Sequence, residues 1–364
     1  MPRNPSYWES ELPPEAAPAA LPARVDVLVV GAGFMGRWLA YFLGKRANPP
    51  SVLVLERDRY TYGASSRNAG FLTCGQAGEM LADAAEVGLD AVLETLRLRR
   101  HGIALVRREM PGLELDECGS TDYDPVTQAI RELLPRLNEA AGDNIYSIRE
   151  ACLAGHTRPA VFNRADAGVH PVRLLKALQQ GSPARYAFGA AVRSVADGCA
   201  VLTDGREVRY GRAFACVNAF ASELDASSPV VPGRGQVIVT SPVSTRTDRT
   251  LGYMHAGYDY FRFVDGRLLI GGGRHLHRQA ETTSELEGTA QLLAYLRSAA
   301  VRVLGHGDFS VDYHWAGIMG FVGGRHLGGS PRRRVDASTE QVAGFGGMGV
   351  ALAPVYAQQI AAEF

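Results

Sequence analysis

The stretch Val25-Asp26-Val27-Leu28-Val29-Val30-Gly31-Ala32-Gly33-Phe34-Met35-Gly36 reads as a strand, a tight turn and the start of a helix. Residues 25–30 are apolar but for Asp26, the pattern of a parallel strand covered on both faces. Gly31 allows the turn, Gly33 lets a pyrophosphate approach the backbone, and Gly36 lets the helix pack close to the strand. The helix continues through Arg37-Trp38-Leu39-Ala40-Tyr41-Phe42-Leu43, and its start offers unpaired N–H groups to an anion.

A second strand, Ser51-Val52-Leu53-Val54-Leu55, ends at Glu56, about 20 residues past the last glycine, where a carboxylate can hold a ribose hydroxyl. The first unit is therefore expected to bind an adenine dinucleotide, of a kind these residues do not by themselves decide. The fold class expected is α/β: a Rossmann-like domain with a parallel sheet and a β meander, beside a domain of antiparallel sheet and helices.

The chain has 364 residues, room for two domains, with 38 basic and 38 acidic side chains. That balance gives no support to charge-driven binding of nucleic acid or membrane. The five cysteines, Cys74, Cys118, Cys152, Cys199 and Cys216, include no C-x-x-C pair, so buried reduced thiols are expected. No apolar run is long enough to span a bilayer and no leader pattern opens the chain, so a soluble, cytoplasmic protein is expected.

Residues 1–22 are rich in Pro, Ala and Glu and read as a surface arm anchored by Ser6-Tyr7-Trp8, with Trp8 docked on the body. The loop Tyr62-Gly63-Ala64-Ser65-Ser66-Arg67-Asn68-Ala69-Gly70-Phe71-Leu72 is either a plain surface loop or a second phosphate-contacting turn. Residues 79–109 carry helical periodicity, with Arg97, Arg99, Arg100, Arg107 and Arg108 expected on solvated faces, and residues 126–140 read as another amphipathic helix. Residues 191–205 suggest a small meander, and Ala213-Phe214-Ala215-Cys216-Val217 a parallel strand rejoining the nucleotide sheet. A hairpin is expected at Asp265-Gly266 and an amphipathic helix over 284–304. Gly271-Gly272-Gly273 reads as a crowded strand end rather than a second nucleotide turn. Gly344-Phe345-Gly346-Gly347-Met348-Gly349-Val350 places glycines at the start of a last helix.

With Cys216-Val217-Asn218-Ala219-Phe220, Arg234-Gly235-Gln236, Arg262 followed by Asp265-Gly266-Arg267-Leu268-Leu269, and Trp315-Ala316-Gly317-Ile318-Met319-Gly320, these segments resemble the glycine oxidase, sarcosine oxidase and D-amino-acid oxidase family of FAD enzymes over about residues 24–364. The Ser6-Tyr7-Trp8 arm and the stretch from Tyr260 to Gly273 look most like the γ-glutamylputrescine oxidase branch. The resemblance implies FAD as cofactor and oxidation of a C–N bond of a small amine or amino acid, with hydride transfer to flavin N5, imine hydrolysis and oxygen reduced to hydrogen peroxide. It places cofactor contacts on Gly31, Gly33, Phe34, Met35, Gly36, Glu56 and Arg57, and on Ser65, Ser66, Arg67, Asn68, Ala69, Gly70 and Phe71. Val192, Asn218, Ala219 and Gly317 follow, then Gly346, Gly347, Met348, Gly349 and Val350. No histidine occupies the early loop where some relatives attach FAD, so non-covalent binding is expected.

Departures from the family pattern bear on the substrate. The late-strand position where an arginine often clamps a carboxylate holds Met319. The only lysines, Lys45 and Lys176, are poorly placed to promote reaction with oxygen, and the Asp-x-x-Pro signature is absent at Gly324-Arg325-His326-Leu327. Arg262 and Arg274 are the candidate clamps, with Arg67 as a third, and Tyr260 lies on the strand face of Arg262 and Tyr258; His275 and His277 are expected to share a strand face as pocket lining. Alternatives are a flavin dehydrogenase with a quinone or carrier-protein acceptor, a flavin-binding protein with lost chemistry, and a pyridine-nucleotide dehydrogenase. The expected domains are 23–75, 165–235 and 311–364 for the cofactor, and 76–164 with 236–310 for the substrate.

Overall fold

The structure is a computed structural model describing residues 4–12, 20–324, 327 and 329–364. Arg325 and His326 of the variant 324–327 segment, and residues 13–19 of the arm, lie outside the described residues.

The first sheet is built on the strand Arg24–Val30. It pairs in parallel with Val52–Leu55 on one side and with Glu207–Ala215 on the other. Arg185–Ala187 extends the parallel array, and Thr339–Val342 pairs in parallel with residues 213–215. The meander Val192–Ala196 and Cys199–Leu202 runs antiparallel into Glu207–Ala215. Val27 and Val29 pack into a core with the helices Phe34–Gly44 and Gly349–Ala362, while Leu28 and Val30 face the meander side. Both faces are covered, which is why the strand reads as an unbroken apolar run.

The second sheet runs, from edge to edge, Val311–Val322, Val230–Pro242, Arg267–Gly271, Asp259–Val264, Leu251–Met254, Ser120–Asp122, His156–Asn163 and Tyr146–Leu153. Its Ile238, Phe261, Leu268 and Ile270 pack under the helix Ala290–Leu304. On the other face Val237, Val239, Leu269 and Trp315 meet Trp8 of the arm. Asp265 (φ 50°) and Gly266 (φ 72°) form the expected hairpin turn, both in the left-handed region that a type I′ turn requires.

The structure departs from the sequence reading in several places. Arg99, expected on a solvated face, is 1% exposed and pairs with Glu79 at 3.3 Å. The periodic stretch 79–109 is two helices, Ala77–Val87 and Leu89–Glu109, broken where Gly88 takes φ 85°. The helix expected from 284 begins at Ala290, because Thr289 is its N-cap: its backbone is extended, its N–H is given to the Gln236 side chain and its hydroxyl accepts from the Leu292 N–H. His275 and His277 lie in a short 3-10 turn, Arg274–His277, rather than on a strand face. The strand Val230–Pro242 runs without interruption past residue 235 and pairs with Val311–Val322, so both belong to the second sheet although the sequence reading divided them. No helix among the described residues is long and apolar enough to cross a membrane.

Candidate active site

A cavity of about 590 Å³ is lined by residues of both large sheets and of the small three-stranded sheet of Phe71–Leu72, Ala167–Val169 and Leu115–Asp116. At one end lies the glycine turn. Gly31 has φ 103°, and a side chain there would meet the Cys216 carbonyl at 2.7 Å. A Cβ on Gly36 would stand 2.0 Å from the Gly31 carbonyl oxygen, so this glycine serves helix packing and does not line the cavity. The helix Phe34–Gly44 starts at Gly33 with no side-chain cap of its own. The Phe34 N–H is instead donated to the Ser65 hydroxyl at 2.9 Å, tying the helix start to the loop 63–70.

Glu56 accepts from the Ala32 N–H at 3.0 Å, and burial raises its pKa against the pull of that bond. Beside it the Arg57 guanidinium lies 4.2 Å from the Phe220 ring centroid, and Val192 and Asn218 complete this end. Asn218 also accepts from the Gly344 N–H at 3.0 Å, which links the meander side to the last glycine turn.

In the middle, Ser65, Arg67, Asn68, Ala69 and Phe71 line one wall, and Gly317, Gly346, Gly347, Met348, Gly349 and Val350 the other, as Phe34, Met35, Gly31 and Gly33 do nearer the turn. Ser66, Gly70 and Ala219 do not line the cavity. The Ser66 hydroxyl donates to the Thr61 carbonyl at 2.6 Å, Gly70 takes φ 75° against the Val169 carbonyl, and Ala219 is buried behind Asn218. The lining suits an extended dinucleotide. Side chains at Gly33 or Gly317 would press on the loop 63–70, and the helix Gly349–Ala362 opens with no acidic residue in its first turn, leaving its positive end toward the cavity.

The far end holds the candidate substrate residues. Tyr260 and Arg274 line it, with Met319 and Phe321. Gly233 and Gly235 make the room: a Cβ on Gly233 would meet Arg274 Nη1 at 3.3 Å, and one on Gly235 the Met319 methyl at 3.0 Å. Arg274 lies 4.4 Å from the Phe321 ring centroid and forms no salt bridge with a described residue; burial lowers its pKa. Burial and the Asp259 charge push the Tyr260 hydroxyl up to about 12, with Arg274 opposing.

Two candidates lie elsewhere. Arg262 shares the strand face of Tyr260, but two residues along a strand is roughly 7 Å, past the end of the cavity. Its guanidinium donates to the carbonyls of Gly70 (2.8 Å) and Val169 (3.2 Å) and so fixes the end of the loop 63–70. The His275 ring packs 4.8 Å from Tyr258, outside the lining, and burial lowers its pKa. Tyr258 itself precedes the strand, in a turn, and lines the cavity.

Sequence reasoning expected helix over 79–109 but missed that its first part, Ala77–Val87, turns Glu79 and Asp83 to the cavity beside Gln76, and it missed Tyr253. It also missed the wall at Ala256 and Gly257. His255 (φ 56°) and Ala256 (φ 53°) are held in the left-handed region by Asp124, whose carboxylate accepts from both their N–H groups at 2.8 and 2.6 Å. The one available signal was the spacing of Glu79, Asp83 and Glu86 along one helix face, which reads equally well as solvated surface.

A strand–turn–helix at one end, a second sheet at the other and a cavity between them define a dinucleotide-dependent redox protein. The family model for DAO, the FAD dependent oxidoreductases, matches residues 26–363, and the chain belongs to that family. No curated protein matches the chain by sequence. Among solved structures it is similar to L-proline dehydrogenase from P. horikoshii, with a TM-score of 0.74, 16% identity and 94% of this chain and 93% of that one covered. Glycine oxidase from Geobacillus kaustophilus gives 0.71, 20%, 93% and 94%. L-alpha-Glycerophosphate Oxidase from Mycoplasma pneumoniae with FAD bound gives 0.70, 15%, 94% and 95%. These likenesses establish the fold.

Proposed function

We propose that the protein oxidises a carbon–nitrogen bond of a small amine or amino acid that carries an anionic group, with FAD bound non-covalently and oxygen as the acceptor, giving hydrogen peroxide. The observation that carries this reading is Arg274, a half-buried guanidinium on the cavity wall with no salt bridge to a described residue. A carboxylate on the substrate supplies the missing partner, in a charge-assisted and bidentate contact. Two of the similar structures are named for amino acids, L-proline dehydrogenase and glycine oxidase, which supports the same class.

Bound FAD supplies the two-electron acceptor. The chain supplies the rest. The turn at Gly31 and Gly33 and the helix start behind it take the pyrophosphate, and Glu56 takes a ribose hydroxyl. The N–H groups at the start of Gly349–Ala362 offer positive potential where negative charge grows. Arg274 orients the substrate, and Phe321 against its guanidinium keeps the fork in place. Tyr260 keeps its proton through the neutral range, so it donates a hydrogen bond and does not act as a base. Met319 and Phe321 exclude water from the same end.

A second reading, a dehydrogenase with another acceptor, is favoured by the lysines. Lys45 pairs with Glu109 at 2.5 Å and Lys176 donates to the Glu11 carbonyl, and neither lines the cavity. Absorption spectra before and after acid precipitation, then anaerobic mixing with a panel of amines and amino acids, test both. Yellow colour released to the supernatant and bleached by one anionic amine supports the proposal, and fast recolouring in air selects the oxidase. A colourless protein that takes up no FAD sinks it, as does bleaching by hydroxy compounds alone.

A further inference from the structure

Arg67 lines the cavity, yet its side chain has no solvent exposure and its charge points away from the cavity into the N-terminal arm. Its Nε donates to the Ala316 carbonyl at 2.6 Å, and its Nη2 to the Asn4 carbonyl at 2.8 Å. Its Nη1 reaches both oxygens of Glu9, at 3.0 and 3.2 Å, and the Glu9 side chain is 6% exposed. The residues on either side are held by the same arm. The Ser6 hydroxyl donates to the Ser66 carbonyl at 2.8 Å, and the Trp8 indole donates to the Asn68 carbonyl at 2.7 Å. The arm is itself closed by Glu9, which accepts from the Ser6 N–H at 2.9 Å.

Three consecutive residues of the loop 63–70 are thus fixed by a segment of the chain that does not itself line the cavity. Ser65, next to them, receives the Phe34 N–H at the helix start, and Asn68 and Ala69 face the cavity. An arginine buried without its carboxylate is strongly unfavourable, so the loop conformation depends on Glu9 being present.

We infer that the N-terminal arm positions the cofactor: Glu9 neutralises Arg67 and, with Ser6 and Trp8, locks the loop 63–70 in the shape that receives FAD. The inference rests on the FAD site and is independent of the substrate. It has an electronic consequence. With Glu9 in place the wall at Arg67 is electrically neutral. Without it the wall carries a buried positive charge, which favours the negative charge gained on reduction.

The experiment compares the wild-type chain with Glu9→Gln, Glu9→Asp and Ser6→Ala. It measures FAD affinity by titration of apoprotein, the reduction potential of the bound flavin, and the melting temperature of the apoprotein. Glu9→Gln is expected to weaken FAD at least tenfold and to raise the potential. Glu9→Asp, which keeps the charge, is expected to restore the wild-type potential, and Ser6→Ala to weaken FAD a few-fold. If Glu9→Gln binds FAD within twofold of wild type at an unchanged potential, the inference fails, whatever its melting temperature. Should Glu9→Gln not fold, Ser6→Ala and Glu9→Asp decide: unchanged FAD affinity in the first, or a potential shifted in the second, overturns it.

Discussion

Gly102 lies against the backbone of Ala351: a Cβ on the glycine would stand 1.6 Å from the Ala351 carbonyl oxygen. The two residues belong to the helices Leu89–Glu109 and Gly349–Ala362, and the second of these opens at Gly349 and Val350 on the cavity wall. The depth at which the last helix sits is therefore set by the absence of a side chain on a distant helix. Gly102→Ala must push the helix start outward, since backbone cannot yield as a side-chain tip can. Overpacking of this kind costs about 1–3 kcal/mol. A melting temperature lower by several degrees and weaker FAD binding are expected together, read by thermal melts of apo and FAD-loaded protein; a lower melting temperature with unchanged affinity would separate the helix from the cofactor.

The glycines of the first turn differ in what a methyl group would meet. At Gly36 it meets the Gly31 carbonyl oxygen at 2.0 Å, and at Gly33 the Ser65 hydroxyl at 2.9 Å. Gly36→Ala is expected to give little folded protein. Gly33→Ala is expected to fold and to bind FAD at least tenfold more weakly, because Ser65 can turn aside while the loop around it shifts. Soluble yield and FAD titration distinguish the two; equal behaviour would show that the local crowding is not what matters.

Arg274→Met is expected to raise KM for an anionic amine by about a hundredfold or more, with a smaller change in kcat, as for loss of one partner from a buried charge pair. Arg278 already donates to the Tyr258 hydroxyl at 3.2 Å, so Arg278→Met should have the smaller effect. Steady-state kinetics on a substrate and on its uncharged analogue provide the check: equal losses on both would remove Arg274 from anion binding.

Asp166 sits behind the cavity with no exposure, and burial pushes its pKa up to about 7 even though it accepts from the Cys74 N–H (2.7 Å) and the Ser120 hydroxyl (2.6 Å). Above the ordinary carboxylate value the unfolded chain has lost this proton while the folded chain keeps it. The folded state then binds more protons, so stability falls as pH rises from about 4 to about 7 and levels off above. Asp122, raised to about 6 by burial, adds to the acid side of the same fall. Asp166→Asn keeps the oxygen that accepts from Cys74 and should flatten the melting-temperature profile between pH 5 and 8. A profile as steep as wild type would assign the fall to other groups.

The glycine-turn end of the cavity lining was legible because each of its segments carries a short local pattern. Gly31, Gly33 and Glu56 act through local geometry that their spacing announces, and Arg57, Val192, Asn218 and Gly346 line the cavity with them. The substrate end was legible only in part. Tyr260 and Arg274 line it, whereas Arg262, on the same strand face as Tyr260, is spent on the carbonyls of Gly70 and Val169. Alternation along a strand says which side a residue faces, but not where a cavity stops.

What the amino-acid order determined by itself is the α/β fold, the first sheet's central strand and the glycine turns, since each follows from periodicity or from a glycine that local backbone geometry demands. What had to await the folded chain is everything made by contacts between remote segments. These are Glu9 against Arg67, Asp124 bracing His255 and Ala256, Arg274 in the room left by Gly233, and Gly102 under Ala351. None has a local signature, because a buried charge or a missing side chain acquires its meaning from the partner that folding brings to it.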